Sequence, residues 1–151
     1  MSLASRPAGH GPRASGYGEA VSTESLVGRT YPPVETVIEG PRVAAFAASL
    51  GADAGAGVPP TFAAVYALGA TVPQLFADED AAIDVAHLLH AEQEFEWERH
   101  PQVGETVTAR GEIVSDVVRR GIRLLGFETR CTVGGEPLCR SRATFLVRAG
   151  G

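Results

Sequence analysis

The chain has 151 residues, 44% of them apolar and 21% charged, with a formal net charge of −5. That composition suits one soluble globular domain large enough to bury a core. The negative balance argues against nucleic acid as a partner, because phosphate binding needs clustered positive charge. No uninterrupted apolar run reaches the roughly 20 residues of a membrane span, so no membrane partner is expected.

Residues 1–25 are rich in Gly, Ser, Ala and Pro and lack the continuous apolar segment of a secretory signal. They read as a disordered extension ahead of a domain at 26–151, and a cytoplasmic location is the expectation. Pro32 and Pro33 delay a strand to 34–39. A short helix follows from Pro41, with Val43, Phe46, Ala47 and Leu50 on one face and Gly51 as its stop. After a small-residue loop at 51–60, the pattern predicts a central helix over 61–76, bent near Pro73. Phe62, Val65, Tyr66, Gly69, Val72 and Phe76 recur at helical spacing, and the other faces are also mostly apolar. Such a helix is expected to be buried on nearly all sides. A charged turn region occupies 77–86.

The remainder reads as strands at 87–99, 106–119, 122–133 and 137–148. The stretches "HPQVGE", "RRG" and "VGGE" between them supply turns. In the first strand Leu89, Ala91, Gln93, Phe95 and Trp97 alternate with Glu92, Glu94, Glu96 and Glu98, giving one buried face and one wet face. One strand, two helices and four long antiparallel strands imply an α+β fold, a curved five-stranded antiparallel sheet wrapped around one helix. This is the hotdog architecture. It leaves a long edge strand open, so dimerisation is expected. Cys131 and Cys139 flank a turn and read as reduced thiols in a cytoplasmic chain. No metal-ligand spacing occurs, and neither a metal nor a cofactor is expected.

Three stretches in order, "VGRTYPP" (27–33), "VPPTF" (58–62) and "LLHAEQEFEWERHPQVGETVTARGEI" (88–113), resemble the N-terminal MaoC-type dehydratase domains. That family includes subunits of actinobacterial (3R)-hydroxyacyl-carrier-protein dehydratases. The resemblance rests on His90-Ala91-Glu92-Gln93, then Phe95, Trp97, Arg99, Pro101, Gly104 and Glu105, and covers about residues 26 to 149. It implies an acyl thioester, of acyl carrier protein or coenzyme A, lying between two hotdogs of a homodimer or heterodimer. It also implies that the amino end of the central helix, which Pro60 and Thr61 open as substrate-binding residues, supplies backbone N–H groups to the thioester oxygen. Catalytic members carry an Asp and a His before that helix, in a D-x-N-P-x-H type signature. Here the corresponding loop, "GADAGAGVPP", holds Asp53 but no His. From Ala54 through Ala77 there is no ionisable residue other than Tyr66.

Three residues remain as catalytic candidates. His90 and Glu92, read as neighbours on one strand face about 6–7 Å apart, are either an acid–base couple or part of a solvated face continued by Glu94, Glu96 and Glu98. Asp53 is a remnant of the acidic loop position. Phe62, Tyr66, Phe76 and Trp97 either line an acyl tunnel or belong to the core. His87 and His100 read as flanking and surface residues. Arg119, Arg120 and Arg123 gather near a hairpin tip, where they suit an acidic carrier protein, a coenzyme A phosphate or solubility alone. Three functions follow: a dehydratase-like subunit whose partner brings the Asp/His pair, a stand-alone repurposed enzyme of polyketide or fatty-acyl metabolism, and a non-catalytic acyl-thioester binder.

Overall fold

A computed structural model describes residues 25–148. The predicted extension, apart from its last residue, lies outside the described residues. The elements in chain order are β1 (Val34–Val37), α1 (Gly40–Ser49), a central helix ending in α2 (Gly69–Phe76), β2 (Leu88–Trp97), β3 (Thr106–Arg119), β4 (Ile122–Val133) and β5 (Glu136–Arg148). All neighbours in the five-stranded sheet, ordered β1-β3-β4-β5-β2, run antiparallel. The fold is α+β, with the helix across the inner face of the sheet. No helix among the described residues is long and apolar enough to cross a membrane.

The central helix departs from its expected form in two ways. It opens with a tight turn, Pro60–Phe62, widens to a π segment at Ala64–Leu68, and becomes regular α at Gly69–Phe76. The irregularity therefore precedes Pro73, which the α segment accommodates. In the widened turn the Gly69 N–H bonds to the Ala64 carbonyl, and a Cβ at Gly69 would lie 3.0 Å from that oxygen. The helix is also not buried on nearly all sides. Phe62, Ala63, Tyr66, Ala67, Thr71, Val72 and Leu75 are buried, whereas Thr61, Ala64, Gly69 and Pro73 are exposed. Apolar composition hid this asymmetry because the exposed stripe is built from small residues and proline.

Two apolar clusters lie between helix and sheet. One joins Phe62 and Tyr66 to Ile38, Val107 and Leu138; the other joins Leu75 to Ile113, Leu125, Phe127 and Phe145. Between them Thr71 Oγ1 lies 2.8 Å from Thr129 Oγ1 and donates to the Ala67 carbonyl at 3.1 Å. The strand edge at β1 is continued by the "VGRTYPP" stretch. Gly28 N–H bonds to the Ile113 carbonyl at 2.8 Å, and Tyr31 N–H to that of Gly111 at 2.9 Å. Asp78 then accepts from the Tyr31 hydroxyl at 2.7 Å and pairs with Arg29 at 2.8 Å, tying this edge to the chain leaving the helix.

Toward the β4–β5 turn, the outer face of the sheet carries two cross-strand rows of charge, Arg110–Arg130–Arg140–Glu96 and Glu112–Glu128–Arg142–Glu94. Glu128 is 5% exposed, with Arg130 and Arg142 folded over it at 2.8 and 2.9 Å. Burial opposes its charge, but the hydrogen bonds from Arg142 and Arg130 outweigh it and hold its pKa below the ordinary glutamate value of 4.5. A carboxylate depressed on folding adds stability above its unfolded pKa and loses it as pH falls through the folded one. Thermal melts should therefore show a Glu128-dependent loss on acidification below about pH 4.5, on the order of 1 kcal/mol given the half-exposed arginines. In Glu128→Gln that component should vanish. An unchanged acid limb in the variant would exclude Glu128 as its source.

Candidate functional site

The family-resembling stretches around the helix mostly build scaffold. In "ERHPQVGE", Arg99 grips Glu105 through two hydrogen bonds of 2.8 and 2.9 Å, and Glu105 also accepts from Gln102 N–H at 2.7 Å. The Arg99 hydrogen bond, then that backbone contact, holds the Glu105 carboxyl below the usual carboxylate range. Pro101 is buried beneath this loop. Ile38 N–H donates to the Glu105 carbonyl and Gly104 N–H to that of Ile38, each at 2.8 Å, so the turn is fastened to β1.

At the amino end of the central helix Asp53 is exposed, and its carboxylate caps the short turn Ala54–Ala56 by accepting from Gly55 N–H at 2.8 Å. Pro60 and Thr61 are exposed, whereas Phe62 and Tyr66 are each 1% exposed and sit in the core. Phe62 meets Phe46 edge-on, with ring centroids 5.2 Å apart. Half-buried Trp97 lies against Phe95 at 5.6 Å and against exposed His100 at 5.4 Å. The Tyr66 hydroxyl and the Trp97 indole N–H are both buried without a hydrogen-bond partner. Burial, then the neighbouring Cys139, pushes the Tyr66 phenol far above its ordinary value. Cys139 and Cys131 are free, buried and paired across β4 and β5.

His90 belongs to the other end of the helix. Its ring packs on Phe145 at 5.1 Å, and Phe145 meets Phe76 at 5.7 Å. Six residues of β5 separate this level from Cys139 beneath Tyr66, about 20 Å at strand rise. The structure does not bring Asp53 and His90 together.

Nor are His90 and Glu92 on one face, as the alternation suggested. The pairing of β2 with β5 steps from His90↔Phe145 to Glu92↔Thr144, leaving Ala91 as a bulge. Opposed residues share a face, so His90 joins buried Phe145 on the inner side. Glu92 lies on the outer side, accepting from the Thr144 hydroxyl at 3.2 Å. One extra residue reverses the alternation above it. Below the bulge, Gln93, Phe95 and Trp97 face inward as expected. Gln93 donates to Ser141 Oγ at 2.8 Å, and its side-chain oxygen is buried and unpaired.

One pair was missed. His87 Nδ1 lies 2.6 Å from Asp84 Oδ2, and this hydrogen bond, first among the causes, lowers the Asp84 pKa. Both side chains are more than half exposed. The signal was present as Asp-x-x-His, a cap residue three positions before a histidine. Of the three grouped arginines, Arg123 is engaged by Asp116 through two bonds of 2.7 Å and by the Ala81 carbonyl. Among the described residues no group of His, Cys, Asp and Glu could hold a metal ion.

The family model described as FAS1-like, dehydratase domain region, matches residues 25–141. The chain belongs to that family, whose domains are MaoC-like hotdogs. A UPF0336 protein of Cutibacterium acnes is 33% identical over 126 residues, covering 78% of this chain and 88% of the relative. Among solved structures, a chain of the HadBC (3R-hydroxyacyl-ACP dehydratase) complex of Mycobacterium tuberculosis superposes with a TM-score of 0.65 at 20% identity, over 82% of this chain and 98% of the other. A chain of the ChsH1–ChsH2 complex from the same organism gives 0.62 at 15% identity, over 82% and 86%. These two likenesses establish the MaoC-like fold, and both structures are complexes of two named components.

Proposed function

We propose that this MaoC-like hotdog is the acyl-thioester-binding subunit of an (R)-3-hydroxyacyl-thioester dehydratase, and that a second hotdog supplies the Asp/His pair. One observation carries the reading. The helix has the small, exposed amino end a thioester needs, yet the one Asp–His contact among the described residues, Asp84–His87, lies at the opposite end. Dehydration requires a base for the α-proton and an acid for the departing hydroxyl at one reacting centre. β2 supports the pairing, because this ten-residue edge strand has one side hydrogen-bonded to β5 and the other open among the described residues. The exposed helix stripe at Ala64, Gly69 and Pro73 would then be covered by, or form a channel against, the partner.

A second reading, a stand-alone enzyme, is favoured by Asp84–His87 alone, since the carboxylate orients the imidazole and leaves Nε2 for proton transfer. Hydration of crotonyl and longer enoyl thioesters separates the two. The purified chain is expected to hydrate them at background rate, and addition of a hotdog chain bearing the D-x-N-P-x-H signature to raise the rate at least 100-fold. Robust hydration by the isolated chain, lost in His87→Ala or His90→Ala, would overturn the partner reading.

A further inference from the structure

Two halves of the sheet's outer face differ in chemistry. Toward the turn between β4 and β5, arginines and glutamates cover it. Toward the β3–β4 turn, one row running across four strands is Val117–Leu124–Leu146–Leu89. Leu89 is 61% exposed and Val117 43% exposed, and Ile122 beside them is 46% exposed. No described element covers this row. It is flanked by two grooves of about 300 and 340 Å³, the first floored by Leu146 and Ile122, the second by Leu124 and Val117. A contiguous apolar patch with a polar rim on a solvent-facing sheet marks a docking surface.

The rim identifies the occupant. The next outward row is Arg119–Ile122–Arg148, and Arg120 stands at the turn. Among the described residues none of these three arginines has a carboxylate within ion-pair distance, in contrast to Arg123, which Asp116 holds from the inner side. Two residues of strand separate the apolar row from the arginine row, about 7 Å, and the apolar row spans about 14 Å across four strands. Those are the dimensions of roughly two and a half turns of α-helix carrying an apolar stripe beside an acidic one.

Other occupants fit less well. A second copy laid face to face would bring arginine rims into proximity, with Glu92 the sole acid lining either groove. The 24 residues outside the described N-terminus carry two arginines and two glutamates and no amphipathic run, so they offer the rim no excess of negative charge. We infer that this end of the outer face docks an acidic amphipathic helix of a partner protein. The inference rests on the apolar row and the arginine rim, which the dehydration reading does not invoke, although His87 and Glu92 line the flanking grooves; peptide binding and thioester hydration are read out separately.

The test titrates the full chain with a labelled 14-residue helical peptide bearing leucines at i, i+4, i+7 and i+11 with glutamates alongside, and with its lysine counterpart. Saturable binding of the acidic peptide, at least tenfold tighter than the lysine one, is expected. The Arg119→Glu/Arg148→Glu double variant should weaken it at least tenfold, while Arg110→Glu on the charged half leaves it unchanged. Methyl resonances of Leu89, Leu124 and Leu146 should shift on binding. Failure to bind, equal binding of both peptides, or indifference to the double reversal would overturn the inference. So would a self-associated species in light scattering that Leu146→Asp dissociates, which would assign the patch to a second copy.

Discussion

Phe62→Ala is expected to cost about 3–5 kcal/mol, lowering the melting temperature on the order of 10 °C. The ring is 1% exposed, edge-on to Phe46 and within the cluster that includes Ile38, Val107 and Leu138. Its removal takes away both transfer free energy and packing partners. Neighbours cannot readily collapse into the space, because Pro59 and Pro60 fix the backbone entering the helix and the sheet below is continuous. Circular-dichroism melts check the stability. A variant as stable as the parent, with an altered preference for thioester chain length, would instead return Phe62 to the wall of an acyl tunnel.

The second large effect is expected at Gly111. A Cβ built there would stand 2.3 Å from Cζ of Phe127, a buried ring on the neighbouring strand. The ring is confined, 1% exposed and 5.9 Å from Tyr31, so it has little room to swing away. Gly111→Ala should destabilise the fold by about 2–3 kcal/mol through overpacking. Phe127→Leu is destabilising by itself, but in the Gly111→Ala background it should recover part of the loss. A double-mutant cycle measures that coupling, and strictly additive losses would show that the ring is not what glycine accommodates.

Much of the scaffold was legible because it is written locally. Thr106–Arg119 and Ile122–Val133 came directly from the glycine-containing turns that bound them. The family stretches, with the helix between Pro60 and Phe76, placed the fold. What escaped was set by pairing across the sheet. Nothing in Leu88–Leu89–His90–Ala91 announces a bulge; it exists because β5 fixes the register on both sides of Ala91. That single residue separates His90 from Glu92, so the candidate couple failed on a non-local constraint. The same limit applies to the helix. Composition reported that every face was apolar, but only the sheet's one-sided coverage decides which residues stay in contact with water. Asp84–His87, by contrast, was readable from spacing alone and was passed over because it sits outside the resembling motif.

The hydroxyl contact between Thr71 and Thr129 acts as a rotational key for the helix. A turn of one residue would swing Thr71, still bonded to the Ala67 carbonyl of its own helix, away from its mate and leave the buried Thr129 hydroxyl without that partner. With the angular setting locked on the hidden side, the water-facing stripe is free to vary without disturbing the lock. If a second hotdog covers this stripe as proposed, enlarging Ala64 would narrow the passage between the two, while the core beneath keeps its arrangement. Under that pairing, guest size would be set by residues mechanically insulated from the machinery that keeps the chain folded.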